Sequence, residues 1–277
     1  MTTSVAAELL VVRKRSSTWI LLGIWSVLAV LFAYVIPYVE YLNGSGPGNR
    51  SLEDLLPDRL VGNLLAGFPF FGGVFALMLG VLALGSEYGW GTLKTLFSQR
   101  PGRLQVFGAK LIALGLVLVP FVFTAFALGA GASYAIAVRE GADVAWPSAS
   151  LILRALGAGW FLLAVWATFG ILLGVASRGT SLAIGVGILY ALVIEGLISA
   201  FADSVSFLEP LTKFFLRANG YSLVKGLGVS TVDVAGNGPG AFSGPYVGSA
   251  QALIVLALYA LGFLLVSGFL LRRRDVA

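Results

Sequence analysis

Ser86-Glu87-Tyr88-Gly89-Trp90-Gly91-Thr92-Leu93-Lys94-Thr95-Leu96-Phe97-Ser98-Gln99-Arg100-Pro101-Gly102-Arg103, continuing to Lys110, is the longest well-charged stretch lying between two long apolar runs of this 277-residue chain. An acid, Glu87, closes the first run. Thr92 suits a helix N-cap, its hydroxyl accepting from an otherwise unpaired backbone N–H. Leu93, Leu96 and Phe97 then share one side of a short helix, while Lys94 and Gln99 point elsewhere. Pro101 cannot continue that helix and biases Arg100 toward extended backbone. The reading predicts a short helix with an apolar face, exposed between two membrane spans and in need of a surface to dock on.

The rest of the chain explains why those runs are spans. Hydrophobic residues make up 58% and charged residues 11% of the sequence, against about 25% charge in a soluble domain. Mean hydropathy is +0.94. Six charge-poor runs approach the roughly 20 residues that a helical crossing needs: 16–39, 60–86, 111–138, 155–177, 179–202 (interrupted by Glu195) and about 248–271. Several exceed that length, which predicts tilt or trimmed ends. The short alternating segments of a β-barrel are absent. The expected fold is therefore all-α and integral to the membrane, a single transmembrane domain over 1–277.

Orientation follows from where the basic residues fall. With the N-terminus in the cytoplasm, the loops on that side carry the larger share of the 18 Lys and Arg residues, among them Arg13 to Arg15, Lys94, Arg100, Arg103, Lys110, Arg178 and Arg272 to Arg274. The acids Glu40, Glu53, Asp54, Asp58, Glu140 and Asp143 lean to the other side. Both termini, and the loop 87–110, are expected in the cytoplasm. Residues 1–16 read as an amphipathic interfacial helix held by its basic cluster, leading into an uncleaved first span, since the apolar run is too long for a signal peptide.

On the other face, 40–59 reads as a solvated loop in preference to a calcium site at Glu53-Asp54. The segment 203–247 contains Phe207, Leu208, Leu211, Phe214, Phe215 and Leu216. That is too apolar for a plain loop and too short to span, so helices lying at or dipping into the outer face are predicted. Small residues recur at helical spacing in the spans: Gly72, Ala76 and Gly80; Ala125, Gly129, Ser133 and Ala137; Gly170 and Gly174. Close packing within the chain is the default meaning of such stripes.

Glu195 is the one ionisable residue well inside a span. It shares a face with Ala183, Gly187, Ala191 and Ser199 and lies about 25 Å along the helix from Arg178, toward the outer leaflet. Two readings stand side by side. An acid at that depth is a candidate for the translocation path; equally, it snorkels outward or caps a neighbouring re-entrant helix as a structural partner.

Absences narrow the chemistry. The chain has no Cys and no His, which removes disulfides, thiol and haem chemistry, Ser-His-Asp triads and most zinc sites. It contains no Gly-x-x-x-x-Gly-Lys-Ser/Thr and no Gly-x-Ser-x-Gly, so neither a P-loop nor a hydrolase elbow is present. No catalytic residue and no metal ligand is assigned, and the net charge of +5 is read as membrane orientation, with no nucleic-acid partner.

With six spans, a basic amphipathic N-terminus beginning Ala7-Glu8-Leu9 and leading into Trp19, and the loop Glu87, Gly91-Thr92-Leu93, Arg100-Pro101, Arg103, Lys110, the chain resembles a type-2 ABC transporter permease. The resemblance implies that the loop carries a coupling helix seated in a groove of a cytoplasmic ATPase. Glu87, Gly91, Thr92, Leu93, Leu96, Arg100, Pro101 and Arg103 are then the coupling residues, with Glu87 bracing the helix and Arg100 or Arg103 meeting acidic ATPase surface. It implies re-entrant helices within 203–247, a second permease copy, most simply a homodimer, and a pair of ATPase chains that hold the ATP and magnesium; this chain itself would carry no cofactor and be no enzyme. The expected setting is a prokaryotic inner membrane, with lipid as a further partner, and the expected cargo of an efflux pump with so apolar an interior is a drug, peptide or lipid. Two other readings are kept: a proton-coupled secondary transporter that uses Glu195, for which inverted repeats or broken midplane helices would be expected, and a non-transporting membrane subunit that senses a ligand through the outer segment.

Overall fold

The computed structural model describes residues 2–44, 51–89, 102–202, 209–228 and 246–273. Among the described residues every regular element is helical, and six helices are long and apolar enough to cross a membrane. The N-terminal helix α1 (Thr2–Lys14) precedes α2 (Ser16–Asn43), α3 (Pro57–Tyr88), α4 (Arg103–Glu140), α5 (Ala149–Ser177) and α6 (Ser181–Ser199). A shorter helix, α7 (Leu216–Lys225), follows, then the last crossing helix, α8 (Ser249–Arg273). The chain is an all-α, multi-pass integral membrane protein.

Helix α3 is the centre of the molecule. It runs along α5, which in turn receives α8, while α4 carries α1 and α2 on another side. The closeness of α3 and α5 is written in glycine. A Cβ built on Gly80 would lie 2.0 Å from the Ala167 carbonyl oxygen, and one on Gly170 would lie 2.1 Å from that of Leu77. Backbone meets backbone there, and no side chain fits. Two of the small-residue stripes are thus spent on packing within the chain. The third does the same through Gly129, where a Cβ would fall 2.8 Å from the Leu64 side chain.

Around this contact the large side chains close the core. Trp25, Tyr34, Phe68, Phe121 and Trp166 are all fully buried. Trp25 meets Phe68 edge-on at 5.2 Å between ring centres. Its indole N–H donates to the Phe121 carbonyl at 2.8 Å. That bond, and a second from Trp160 Nε1 to the Gly115 carbonyl at 2.8 Å, flank Pro120 in the middle of α4. A proline there removes one rung of the helical ladder, and the two indoles brace the helix on either side of it.

Four of the six apolar runs lie within longer helices, among them Ser16–Asn43 and Ala149–Ser177, and two of the differing boundaries have a clear physical cause. The third apolar run, expected over 111–138, lies within a helix of 38 residues that begins at Arg103. It runs through Lys110 because that ammonium group is neutralised by protein carboxylates, described below, and so does not force the chain out of its helix. The N-terminal helix, expected over 1–16, ends at Lys14 because Arg15 is extended and separates it from α2.

Three of the crossing helices contain a π-turn: Leu31–Val35 in α2, Phe68–Gly72 in α3 and Tyr190–Ile194 in α6. Such turns rotate the residues that follow them and leave backbone groups without their usual partners. The latter two both face α7.

Candidate functional site

Two buried polar clusters stand out, at opposite ends of the bundle. The first gathers at the feet of α3 and α4, where the loop between them leaves and returns. Lys110 on α4 is buried, and its Nζ pairs with the Glu87 carboxylate on α3 and with Glu8 Oε2 on α1 at 2.8 Å. A lysine taken out of water unpaired is costly, so two carboxylates close to one ammonium repay much of that cost. The second acid adds excess negative charge. Arg15 acts on Glu87 through space as well, and its Nη1 donates to the Leu82 carbonyl at 2.9 Å. With all four groups in their charged forms, two acids and two bases balance.

Local sequence explains why these groups meet. Glu8 and Val12 fall at i and i+4, on one side of α1, and Arg15 is the extended residue that follows the helix. Val12 and Arg15 line a narrow cleft together with Leu79, Leu82, Leu114 and Val117. The junction from α1 to α2 is fixed by Trp19, whose indole N–H donates to the Arg13 carbonyl at 2.8 Å.

The second cluster surrounds Glu195 on α6, a residue that is 1% exposed. Its Oε1 accepts from the Leu216 backbone N–H at 2.8 Å and its Oε2 from that of Arg217 at 3.0 Å. Those are the first two amides of α7, whose own N-cap residue, Phe215, offers no polar side chain. A carboxylate from another helix therefore takes the place of the usual capping side chain and meets the positive end of the helix dipole. Arg217 is buried beside it. Its Nη1 donates to the Ala191 carbonyl at 3.3 Å, inside the α6 π-turn, and its guanidinium stands 4.6 Å over the Phe70 ring, inside the α3 π-turn. Below that, Gly220 comes so close to Pro69 that an added Cβ would sit 2.9 Å from it. Helix α7 is thus seated between two π-turns, and Ser222 Oγ accepts from the Val247 N–H at 3.0 Å to tie it to the start of α8.

Of the residues singled out from the sequence, Glu87 and Glu195 lie at the centres of these two clusters. Gly91, Thr92, Leu93, Leu96, Arg100 and Pro101 lie outside the described residues, and Arg103 opens α4. The part of the segment 203–247 that is described forms a one-turn helix, Glu209–Thr212, and α7. Sequence reasoning missed Glu8, Arg217 and the functional weight of Lys110. Glu8 did carry a signal, as the sole acid in the first 39 residues. Arg217 carried none, because nothing in a sequence pairs it with a residue 22 positions earlier.

No curated protein matches the chain. The family model for the ABC-2 family transporter protein matches residues 4–276, from the first turn of α1 to beyond the end of α8. The match takes in both clusters and all six crossing helices, and the chain belongs to the ABC-2 transporter family.

Proposed function

We propose that this chain is the permease subunit of an ATP-driven exporter, working as a pair of copies with a separately encoded pair of ABC ATPases. The family membership supports the permease role. The observation that carries the coupling reading is the Glu87–Lys110 ion pair. It fastens together the last turn of α3 and the second turn of α4, so the loop between them leaves and returns through one buried, charge-locked base. A loop built on such a base transmits a push to two crossing helices at once.

On this reading the termini and the loop face the cytoplasm, in keeping with the distribution of Lys and Arg. Gly91, Thr92, Leu93 and Leu96 would form the docking helix, with Arg100-Pro101 ending it and Arg100 or Arg103 presenting positive charge to the ATPase. ATP and magnesium would be held by the ATPase chains. The cargo would be hydrophobic or amphipathic, because among the described residues the buried charges are engaged within the protein.

The proton-coupled alternative depends on Glu195. Both of its oxygens accept from the first backbone amides of α7, and this favours a seating role for that residue.

The test is affinity purification of the tagged chain from native membranes, followed by an ATP hydrolysis assay. An ABC ATPase is expected to co-purify and to be lost when Gly91-Thr92 and Arg100-Pro101 are replaced together. A chain that purifies with no ATP-hydrolysing partner would sink the reading.

A further inference from the structure

Glu8 and Val12 on α1, and Arg15 just after it, line the cleft toward α3 and α4, whereas Leu10 is 55% exposed and Val11, at the rim of that cleft, is 43% exposed. Trp19, just beyond the end of α1, is exposed as well, and Arg13 and Lys14 close the last turn. Exposed aliphatic side chains, a tryptophan and a pair of basic residues gathered around the end of α1 suit the boundary of a leaflet with anionic head groups. One side of α1 therefore has chemistry for lipid. The other side holds a carboxylate 2.8 Å from the lysine that locks the base of the loop.

We propose that α1 is a lipid-seated anchor for the loop between α3 and α4, and that Glu8 is the positioning residue through which it acts. The inference rests on the coupling-loop reading above. Lys110 is shared between an acid on a crossing helix and an acid on the anchor, so displacement of the loop base pulls on both. Without Glu8 the lysine keeps Glu87, and the fold keeps its buried pair. What disappears is the charged tie between the anchor and the lysine, leaving the Arg15 bond to the Leu82 carbonyl and apolar packing: the base of the loop then yields more when the ATPase pushes, and less of the push is passed to the spans.

The experiment uses the permease co-purified with its ATPase and placed in vesicles of phosphatidylethanolamine and phosphatidylglycerol. For Glu8→Gln, ATPase binding and thermal stability are expected to stay at the parental level, while stimulation of ATP hydrolysis by the permease falls about tenfold. A second variant adds Val12→Cys and Val117→Cys to Glu8→Gln. Both positions line the cleft between α1 and α4, and the chain has no other cysteine, so within the permease a short bis-methanethiosulfonate reagent has this pair as its target, and it is applied to the permease before the ATPase is added back. Bridging is expected to restore stimulation. Full stimulation in Glu8→Gln would overturn the anchor, as would stimulation that stays low after bridging is verified by mass. Loss of ATPase binding in Glu8→Gln would also overturn it, by making Glu8 part of the docking surface or of the fold. A parental chain with no ATPase would instead be a failure of the coupling reading itself.

Discussion

Lys110 and Glu195 are both charged and buried, and they are held by different means. Lys110 is neutralised by side-chain carboxylates, whereas Glu195 meets backbone amides at a helix start. Their replacement should therefore have different consequences. Lys110→Met would leave Glu87 and Glu8 with Arg15 acting through space as their remaining cation, at an expected cost of about 3–5 kcal/mol, read as a large fall in the detergent unfolding midpoint or as loss of the folded chain. Glu195→Gln keeps one acceptor and turns an amide N–H toward a backbone donor. We expect about 1–3 kcal/mol of destabilisation, measured in the same unfolding assay. Unchanged stability combined with lost transport would instead favour Glu195 as a proton carrier. Glu195 was legible in the sequence as an intramembrane acid with two open readings; which groups it touches was not, because its partners belong to a helix whose position depends on the whole bundle.

At the scale of elements, the contact between α3 and α5 follows from where glycine is placed. Gly80→Ala would press a methyl group against the Ala167 carbonyl, where only 2.0 Å is available, and backbone cannot step aside as a flexible side chain does. The helices must separate, at an expected cost of about 1–3 kcal/mol. Gly185→Ala is the control, since a Cβ there has no atom within 4 Å; it is expected to unfold at the parental temperature. Equal effects of the two substitutions in a thermal melt would refute this account of the packing. The six crossing helices were readable from apolar run length, and the small-residue stripes pointed to close contact. Which stripe meets which helix was beyond the sequence, because Gly80 finds Ala167 through tertiary folding. The π-turn Tyr190–Ile194 was also invisible, since its residues differ in no compositional way from the helical residues around them, whereas Phe68–Gly72 did carry a signal in Pro69.

For the whole molecule, the distribution of positive charge sets the expected orientation, and the lack of cysteine makes it easy to measure. A single cysteine at Thr2 should be shielded in intact cells from a membrane-impermeant maleimide, whereas one at Asp143, in the exposed turn after α4, should react. The reverse pattern would invert the topology and remove the loop from the side where ATP is available. The long α4 helix also went partly unread. Lys110 marked an end to the apolar run in the sequence, yet the helix passes through it because Glu8 and Glu87 arrive from elsewhere in the chain.

That helix has a mechanical meaning of its own. Its 38 residues make a rod about 57 Å long, nearly twice the roughly 30 Å of hydrocarbon it crosses. It is steadied near Pro120 by two tryptophans that reach in from neighbouring helices. A rod held near its middle is a lever with its fulcrum inside the bilayer. Lys110 sits ten residues from that pivot, or about 15 Å along the axis, so a swing of about 5° carries it roughly 1.3 Å. Against a contact of 2.8 Å to Glu8, that travel separates gripping from letting go. Its far arm, ending at Glu140, moves in the opposite sense.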